Sequence, residues 1–96
     1  MTAYVTAAVQ VTGKTEELGE YRAKVVDTLK PYGGRYLSRG EPVEVLAGSW
    51  DPGQIVLMEF PDVESAQAWN GSAACQEIAQ LRIRNTDTER LIVESV

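Results

Sequence analysis

The run Gln-Ile-Val-Leu-Met-Glu-Phe at residues 54–60 is apolar on both faces when it is read as a β-strand. Ile55 and Leu57 fall on one face, together with Glu59. The opposite face carries three further apolar side chains, Val56, Met58 and Phe60. Such a strand is typical of a sheet that is covered on both sides. Helices of the same chain can cover one face, so the pattern predicts a homodimer in which a second copy covers the other.

Strand and helix periods alternate along the first third of the chain. Residues 4–11 alternate with a period of two, which predicts a strand. Thr15, followed by two acidic residues, is typical of a helix N-cap. Apolar residues then recur at spacings of three and four, as Leu18, Tyr21, Val25, Leu29 and Tyr32. Gly33 and Gly34 predict the end of this helix, because a left-handed C-cap is sterically cheap at glycine.

The next segment predicts a divided strand that leads into the apolar one. Residues 35–39 and 43–46 are strand-like, and the Gly-Glu-Pro at 40–42 indicates a bulge or a corner between them. Residues 48–53 are rich in turn formers and precede the apolar strand at 54–60. We expect residues 35–39 and 43–46 to form the two halves of the second strand.

The last third predicts two helical segments and a final strand. Asp62 and Ser72 are expected to be their N-caps. Residues 85–88 predict a turn, and residues 90–96 predict the last strand. The resulting order β-α-β-β-α-β is the split βαβ of the ferredoxin-like fold, an α+β class with an antiparallel sheet and both helices on one face. No internal boundary interrupts it, so we expect one domain over residues 1–96.

Charge and composition exclude several functional classes. The chain has 9 Lys and Arg against 14 Asp and Glu, a net charge of -5, which argues against nucleic-acid partners. It contains no histidine, which removes the commonest general base and the commonest metal ligand. We therefore expect no metal and no cofactor, and neither triad hydrolysis nor an ordinary zinc site.

Cysteine and hydropathy bound the location. Cys75 is the only cysteine, so the chain cannot form an intramolecular disulfide, and we expect a reducing, cytoplasmic location. No apolar run approaches the roughly 20 residues needed to span a bilayer, so no membrane partner is expected. A domain of this size buries only roughly two-thirds of its unfolded surface, which again favours self-association.

A resemblance to a known family runs through the same elements. The segment Tyr-Gly-Gly-Arg-Tyr-Leu-Ser-Arg-Gly at 32–40 resembles the signature of the DUF1330 family. The family pattern continues in order at residues 43–50, 59–61 and 68–69 and at Ser72, Gln76, Leu81 and Arg82. This resemblance implies a ferredoxin-like protomer that pairs into a dimeric α/β barrel. The family has no general assigned activity.

One stretch departs from the family pattern. After Ala68-Trp69 the family carries bulky Tyr and Asn, then Ser-Pro and a further Tyr, whereas residues 70–75 here are Asn-Gly-Ser-Ala-Ala-Cys. If these positions line a cavity, the smaller side chains make it wider. If they do not, the same change only loosens a helix.

Arg39 and Glu59 are the candidate catalytic residues. The planar guanidinium of Arg39 could clamp a carboxylate or a polarised carbonyl. Glu59 could act as a general base if burial raises its pKa. The alternative for either residue is a structural ion pair, in which Glu59 would face Arg39, Arg82 or Arg84.

The candidate ligand-binding residues are Tyr36, Trp69, Ser72 and Arg82. Tyr36 and Arg39 lie three apart, so their side chains point to opposite faces unless the strand bulges between them. Trp69 also fits a core position, and Arg82 also fits a solvated or salt-bridged helix end. Cys75 has no histidine to activate it and is expected to be an inert, packed side chain.

Two functional hypotheses stay open. The first is a metal-free enzyme or binder that acts on a small polar aromatic or carbonyl compound, with Arg39 as electrostatic stabiliser and Glu59 as base. The second is a noncatalytic dimeric module with a binding or stress-related structural role. The environment of Glu59 separates them. An enzyme should bury it in a cavity, whereas a structural module should leave it exposed or ion-paired.

Overall fold

The computed structural model describes residues 1–50 and 53–96, so Asp51 and Pro52 of the predicted turn lie outside the described residues. The strands and helices are, in chain order, β1 (Ala3–Val11), α1 (Thr15–Leu29), β2 (Arg35–Gly40), β3 (Gln54–Phe60), α2 (Val63–Asn70), α3 (Ala73–Ile83) and β4 (Thr86–Glu94). One turn of 3₁₀ helix, Lys30–Tyr32, continues α1. Among the described residues, no helix has both the length and the apolar character needed to cross a lipid bilayer.

The four strands form one antiparallel sheet in the order β2-β3-β1-β4. β1 lies in the middle, where Val5 is opposite both Met58 of β3 and Ile92 of β4. This confirms the predicted ferredoxin-like α+β order, with the second helical region divided into α2 and α3. The sheet of the single chain is open at β2 and β4, so a closed barrel needs a second sheet.

The inner face of the sheet, which we define as the face toward the helices, carries the core. Alternate residues of β1 are buried there, in keeping with the predicted period of two. Phe60 and Trp69 are fully buried, and their ring centroids lie 5.3 Å apart. The indole N–H of Trp69 donates a hydrogen bond to Thr28 Oγ1 at 2.9 Å. Trp69 is therefore a core residue whose polar group is satisfied.

The centre of the outer face of the sheet is largely apolar, and the helices pack on the opposite side. It carries Tyr4, Thr6, Ala8, Ile55, Leu57, Leu91 and Val93. Leu91 and Val93 are 53% and 45% exposed in the single chain. The assignment of Ile55 and Leu57 to this face agrees with the alternation read from the sequence.

Most predicted helix ends are confirmed. Asp62 and Ser72 each accept a hydrogen bond from the backbone N–H three residues later, at 2.7 and 3.2 Å. Gly33 has a φ of 70°, so it provides the left-handed C-cap. The prediction for α1 is wrong by one residue. Thr15 is its first residue, and the N-cap position belongs to Lys14, which makes no side-chain capping bond.

The predicted turn at residues 85–88 is wrong. β4 begins at Thr86, which pairs with Val11 at the end of β1. Asn85 makes this early start possible, because its Oδ1 accepts a hydrogen bond from the backbone N–H of Lys14 at 2.7 Å. Residues 85–88 therefore have the polar composition of a turn, although β4 pairs with the neighbouring strand β1 from Thr86 onward.

Residues 43–46 do not form the predicted second half of β2. β2 ends at Gly40, which has a φ of 154°, in a region that favours glycine. Residues 43–46 are not part of a strand, and Val43 and Leu46 are 104% and 89% exposed. Their strand-like composition had predicted a strand, but a strand also needs a hydrogen-bonding partner.

Candidate functional site

A bulge in β2 brings Tyr36 and Arg39 to the same face of the sheet. The register with β3 shifts between Tyr36 and Ser38. As a result Tyr36 pairs with Met58 and Arg39 pairs with Val56, both of which point to the inner face. The guanidinium carbon of Arg39 lies 5.6 Å from the centroid of the Tyr36 ring. The sequence left open whether the strand bulges between Tyr36 and Arg39. The bulge is present, and it creates one side of a pocket.

The pocket lies between the inner face of the sheet and helices α1 and α3. Its floor follows one row across the sheet, from Arg39 through Val56 and Ala7 to Arg90. The remaining lining residues are Val9, Leu18, Tyr21, Arg22, Tyr36, Gln54, Met58, Arg82 and Thr88. Among the residues that the structure describes, the lining contains no acidic residue, so its charge is positive although the chain carries a net charge of -5.

We call this site the arginine pocket, because Arg22, Arg39, Arg82 and Arg90 all line it. Arg22 and Arg82 reach it from α1 and α3, whereas Arg39 and Arg90 reach it from the two edge strands. Three of the four are partly buried, and Arg39 is exposed at the rim. The free space for water-sized molecules is about 40 Å³, so the pocket is narrow in the single chain.

Aromatic rings and one amide hold the arginine side chains in place. The guanidinium carbon of Arg82 lies 5.7 Å from the centroid of the Tyr21 ring. The guanidinium carbon of Arg90 lies 5.2 Å from the centroid of the Trp69 ring. Arg22 donates from Nη2 to Gln54 Oε1 at 2.9 Å. A guanidinium that lies over a ring keeps N–H groups at its edge that can bind an anion.

The charges of these four arginines have no carboxylate partner among the residues that the structure describes. The other two arginines of the chain differ, because Arg35 is paired with Glu59 and Arg84 with Glu17. Within the same described residues, Arg82 Nε is buried and has no hydrogen-bond partner. A buried donor without a partner is costly, so an acceptor from outside the chain would stabilise it.

The pKa values of two lining residues follow from burial and charge. Burial, followed by the positive charge of Arg82, lowers the pKa of Arg90. Burial, followed by the proximity of Tyr21, raises the pKa of Tyr36 to about 12. Tyr36 is therefore a neutral phenol at physiological pH. It can donate a hydrogen bond, but it is a poor general base.

Glu59 lies outside the arginine pocket. It points to the outer face, where Arg35 opposite it on β2 donates a hydrogen bond from Nε at 3.0 Å and forms an ion pair with Nη2 at 2.9 Å. The structure thus separates Arg39 and Glu59 by the thickness of the sheet. It does not bring together the two residues that the sequence combined in one catalytic site. The ion pair of Glu59 is the alternative that the sequence left open, formed with a partner that was not foreseen.

Two of the candidate ligand-binding residues have structural contacts. The Ser72 hydroxyl donates to the carbonyl oxygen of Trp69 at 2.7 Å and caps α3. Trp69 is fully buried in the core, where it lies beneath a second depression that Asn70 and Arg90 also line. Of the four candidates, Tyr36 and Arg82 line the arginine pocket.

The sequence did not identify Arg22, Arg90 or Tyr21 as site residues. The alternation of β4 would have placed Arg90 on the inner face together with Thr86 and Thr88. This signal was missed because residues 85–88 were predicted to form a turn. Tyr21 was assigned to the core stripe of α1. Arg22 is next to it and carries no local signal.

The same described residues contain no group of three or more Cys, Asp or Glu side chains arranged to hold a metal ion. Cys75 is buried, and burial raises its pKa. A raised pKa keeps the sulfur as a thiol, so it matches the inert, packed side chain that the sequence predicts.

A model of the family described as a domain of unknown function (DUF1330) matches residues 2–96. The match covers all seven strands and helices of the structure. No curated protein matches the chain.

Solved structures share the fold at low sequence identity. A protein of unknown function from Rhodopseudomonas palustris is 14% identical with a TM-score of 0.79, over 99% of this chain and 82% of that chain. A dimeric ferredoxin-like protein of unknown function from Jannaschia is 15% identical with a TM-score of 0.74, over 99% and 100%. The cofactor-independent oxygenase SnoaB from Streptomyces nogalater is 11% identical with a TM-score of 0.65, over 99% and 92%. These similarities establish the fold. A function has to be argued from the residues of the site.

Proposed function

This chain belongs to the DUF1330 family, and we propose that it binds a small organic anion, a carboxylate with an apolar or aromatic body, in the arginine pocket. The observation that carries the proposal is the convergence of Arg22, Arg39, Arg82 and Arg90 in a pocket whose lining, over residues 1–50 and 53–96, contains no acid. Arginine is the residue best suited to bind a carboxylate, because its planar fork can donate two parallel hydrogen bonds.

Charge repulsion supports the need for an anion. Arg82 and Arg90 are close enough for the charge of one to lower the pKa of the other. Like charges at this range destabilise the empty pocket, and a bound carboxylate would relieve the repulsion. It would also supply an acceptor for the buried Nε of Arg82.

The aromatic lining favours a ligand with an apolar or ring-shaped body. Tyr21 and Tyr36 line the same pocket as Ala7, Val56 and Met58. Aromatic faces and short apolar side chains accept a planar ring or a short hydrocarbon by stacking and contact. Since Arg39 is long and exposed at the rim, its movement can admit a ligand that the narrow empty pocket does not hold.

Binding is better supported than acid–base catalysis. Glu59 is ion-paired on the outer face, and Tyr36 has a pKa raised to about 12. Glu59 therefore cannot contact a ligand in the pocket, and the neutral phenol of Tyr36 is a poor general base. The name of the oxygenase SnoaB does not transfer to this chain at 11% identity. The arginines could stabilise an anionic form of a ligand, which is the role proposed for Arg39.

The proposal includes a homodimer that forms through the outer face. Leu57 and Leu91 lie on either side of Thr6 in one row of this face, and they are apolar without being fully buried. Two solved neighbours, from Jannaschia and Thermobifida fusca, are described as dimeric ferredoxin-like proteins. Pairing of two outer faces would bury the apolar rows and close a barrel from two open sheets.

A thermal-shift titration tests the proposed binding. Benzoate should raise the melting temperature of the wild-type protein above that of a chloride control at equal ionic strength, because a ligand that binds the folded state stabilises it. Arg82→Gln should weaken this effect. Arg35→Gln, which changes an arginine of the outer face, should retain it. If benzoate and every other carboxylate leave the melting temperature unchanged, the structural-module alternative replaces the proposal.

A further inference from the structure

We propose that the natural ligand of the arginine pocket carries two carboxylates, one at each end of a compact apolar or aromatic spacer. This inference rests on the proposed function and specifies its ligand. It follows from the elements that carry the four arginines of this one pocket. We assign them to two pairs, one toward each edge strand of the pocket floor.

The floor sets the distance between the two sides. Arg39 is on edge strand β2 and Arg90 is on edge strand β4, and the register connects them through Val56 and Ala7. Three steps between strands separate their Cα atoms, which corresponds to about 14 Å. Long side chains that start this far apart and line the same pocket approach a ligand from opposite ends.

Each edge-strand arginine has an arginine from a helix on its side. Arg22 of α1 donates to Gln54 of β3, the strand that pairs with the strand of Arg39. Arg82 is near the C-terminal end of α3, and its carbonyl oxygen accepts a hydrogen bond from the hydroxyl of Thr86 at the start of β4, the strand of Arg90. The pairs are therefore Arg22 with Arg39 and Arg82 with Arg90.

The region between the two pairs is suited to an uncharged spacer. Ala7 and Val56 form the middle of the floor, and the rings of Tyr21 and Tyr36 line the pocket with them. A monocarboxylate would contact one pair and leave the other pair without an anion. A dicarboxylate would give each pair one carboxylate, and its apolar spacer would contact the short side chains between them.

Isothermal titration calorimetry with matched mono- and dicarboxylates tests the inference. The probes are benzoate against terephthalate and hexanoate against adipate, at neutral pH and equal ionic strength. We expect each dicarboxylate to bind at least about tenfold more tightly than its monocarboxylate, because a second charge-assisted contact contributes more than the free energy of one tenfold step. A difference in affinity of less than about tenfold between a dicarboxylate and its monocarboxylate would contradict the two-ended site.

Variants on each side locate the effect. Arg39→Gln and Arg90→Gln should each reduce the preference for terephthalate over benzoate to about one, because each removes one end of the site. The control Arg35→Gln should keep the full preference. Circular dichroism checks that each variant is folded. Arg39→Lys and Arg90→Lys, which keep the charge and lose the fork, replace any variant that is not folded and should lower the preference in the same direction.

The outcomes separate this inference from the proposed function. If benzoate and terephthalate bind equally well, the site takes a monoanion and only the dicarboxylate inference is overturned. If no carboxylate binds, both are overturned. If terephthalate binds more tightly but Arg39→Gln and Arg90→Gln keep the preference, the second carboxylate lies elsewhere and the inference is again wrong.

Discussion

Asn85 and Glu17 are joined by a hydrogen bond of 3.1 Å from Nδ2 of the amide to Oε1 of the carboxylate, which ties the end of α3 to the first turn of α1. The same Nδ2 donates to the carbonyl oxygen of Leu81 at 2.8 Å. On its other side, Asn85 Oδ1 accepts from the backbone N–H of Lys14. One buried amide therefore connects two helices and fixes the start of β4.

Asn85→Ala should destabilise the protein. It would leave the N–H of Lys14 and the carbonyl of Leu81 without these partners in a partly buried region. Loss of a buried partner costs about 1–3 kcal/mol for each group left unsatisfied. Urea unfolding measures the change, with Asn70→Ala at the exposed end of α2 as the control. An unfolding midpoint for Asn85→Ala equal to that of the Asn70 variant would show that the amide has no such role.

Glu17 predicts a loss of stability in acid. The hydrogen bond from Arg84, followed by that from Asn85, lowers the pKa of the Glu17 carboxyl from its usual value of 4.5. A group with a lowered folded-state pKa stabilises the protein above its unfolded-state pKa, and this stabilisation is lost as the pH falls through the folded-state value. Wild-type stability should therefore decrease below about pH 4.5.

The matched variant for this pH dependence is Glu17→Gln, which removes the titrating group and keeps an acceptor for Arg84. Its unfolding free energy should fall less steeply over the same acidic range. Chemical denaturation at a series of pH values provides the comparison. Parallel curves for the two proteins would assign the acid sensitivity to other carboxyl groups, such as Asp62, whose pKa the Ser65 N–H lowers.

Two glycine-to-alanine substitutions should change stability in opposite directions. A Cβ at Gly34 would lie 2.6 Å from Cε1 of the buried Phe60 ring, whereas a Cβ at Gly19 in α1 would meet nothing within 4 Å. Gly34→Ala should therefore destabilise by about 1–3 kcal/mol through overpacking. Gly19→Ala should stabilise by about 0.5–1 kcal/mol, because it favours the helix. Urea midpoints that move in the same direction for both variants would contradict the packing described at Gly34.

The sequence predicted the elements better than it predicted their junctions. The period of residues 4–11 and the stripe from Leu18 to Leu29 are local signals, and both elements formed with the predicted buried faces. The segment at 43–46 also has a strand-like composition, but it is not part of a strand. Since pairing depends on residues far away in the chain, a local pattern alone cannot distinguish the two cases.

The candidate site depended on registers that a single sequence does not contain. The spacing of Tyr36 and Arg39 allows either one face or two, and only the bulge against β3 decides between them. Arg90 enters the same row because β4 pairs with β1 in the register that places Arg90 opposite Ala7. The sequence shows which side chains could bind a ligand. Which of them meet in one pocket depends on how the strands of the sheet are paired.

The outer face makes a prediction about assembly. Leu91 is 53% exposed in the single chain, so Leu91→Glu would cost little in an isolated protomer. In the proposed homodimer the same carboxylate would be buried between two sheets without a partner, which is strongly unfavourable. Light scattering after gel filtration should therefore give the mass of two chains for the wild type and the mass of one chain for Leu91→Glu.

The control for this measurement is Val26→Glu, because Val26 is 42% exposed on α1, away from the outer face. It adds the same charge and should leave the dimer intact. Loss of the dimer in both variants would indicate a general effect of charge. A wild-type protein that elutes as one chain at all concentrations would overturn the proposed pairing. It would leave the arginine pocket to be tested by ligand binding, since its lining residues all come from one protomer.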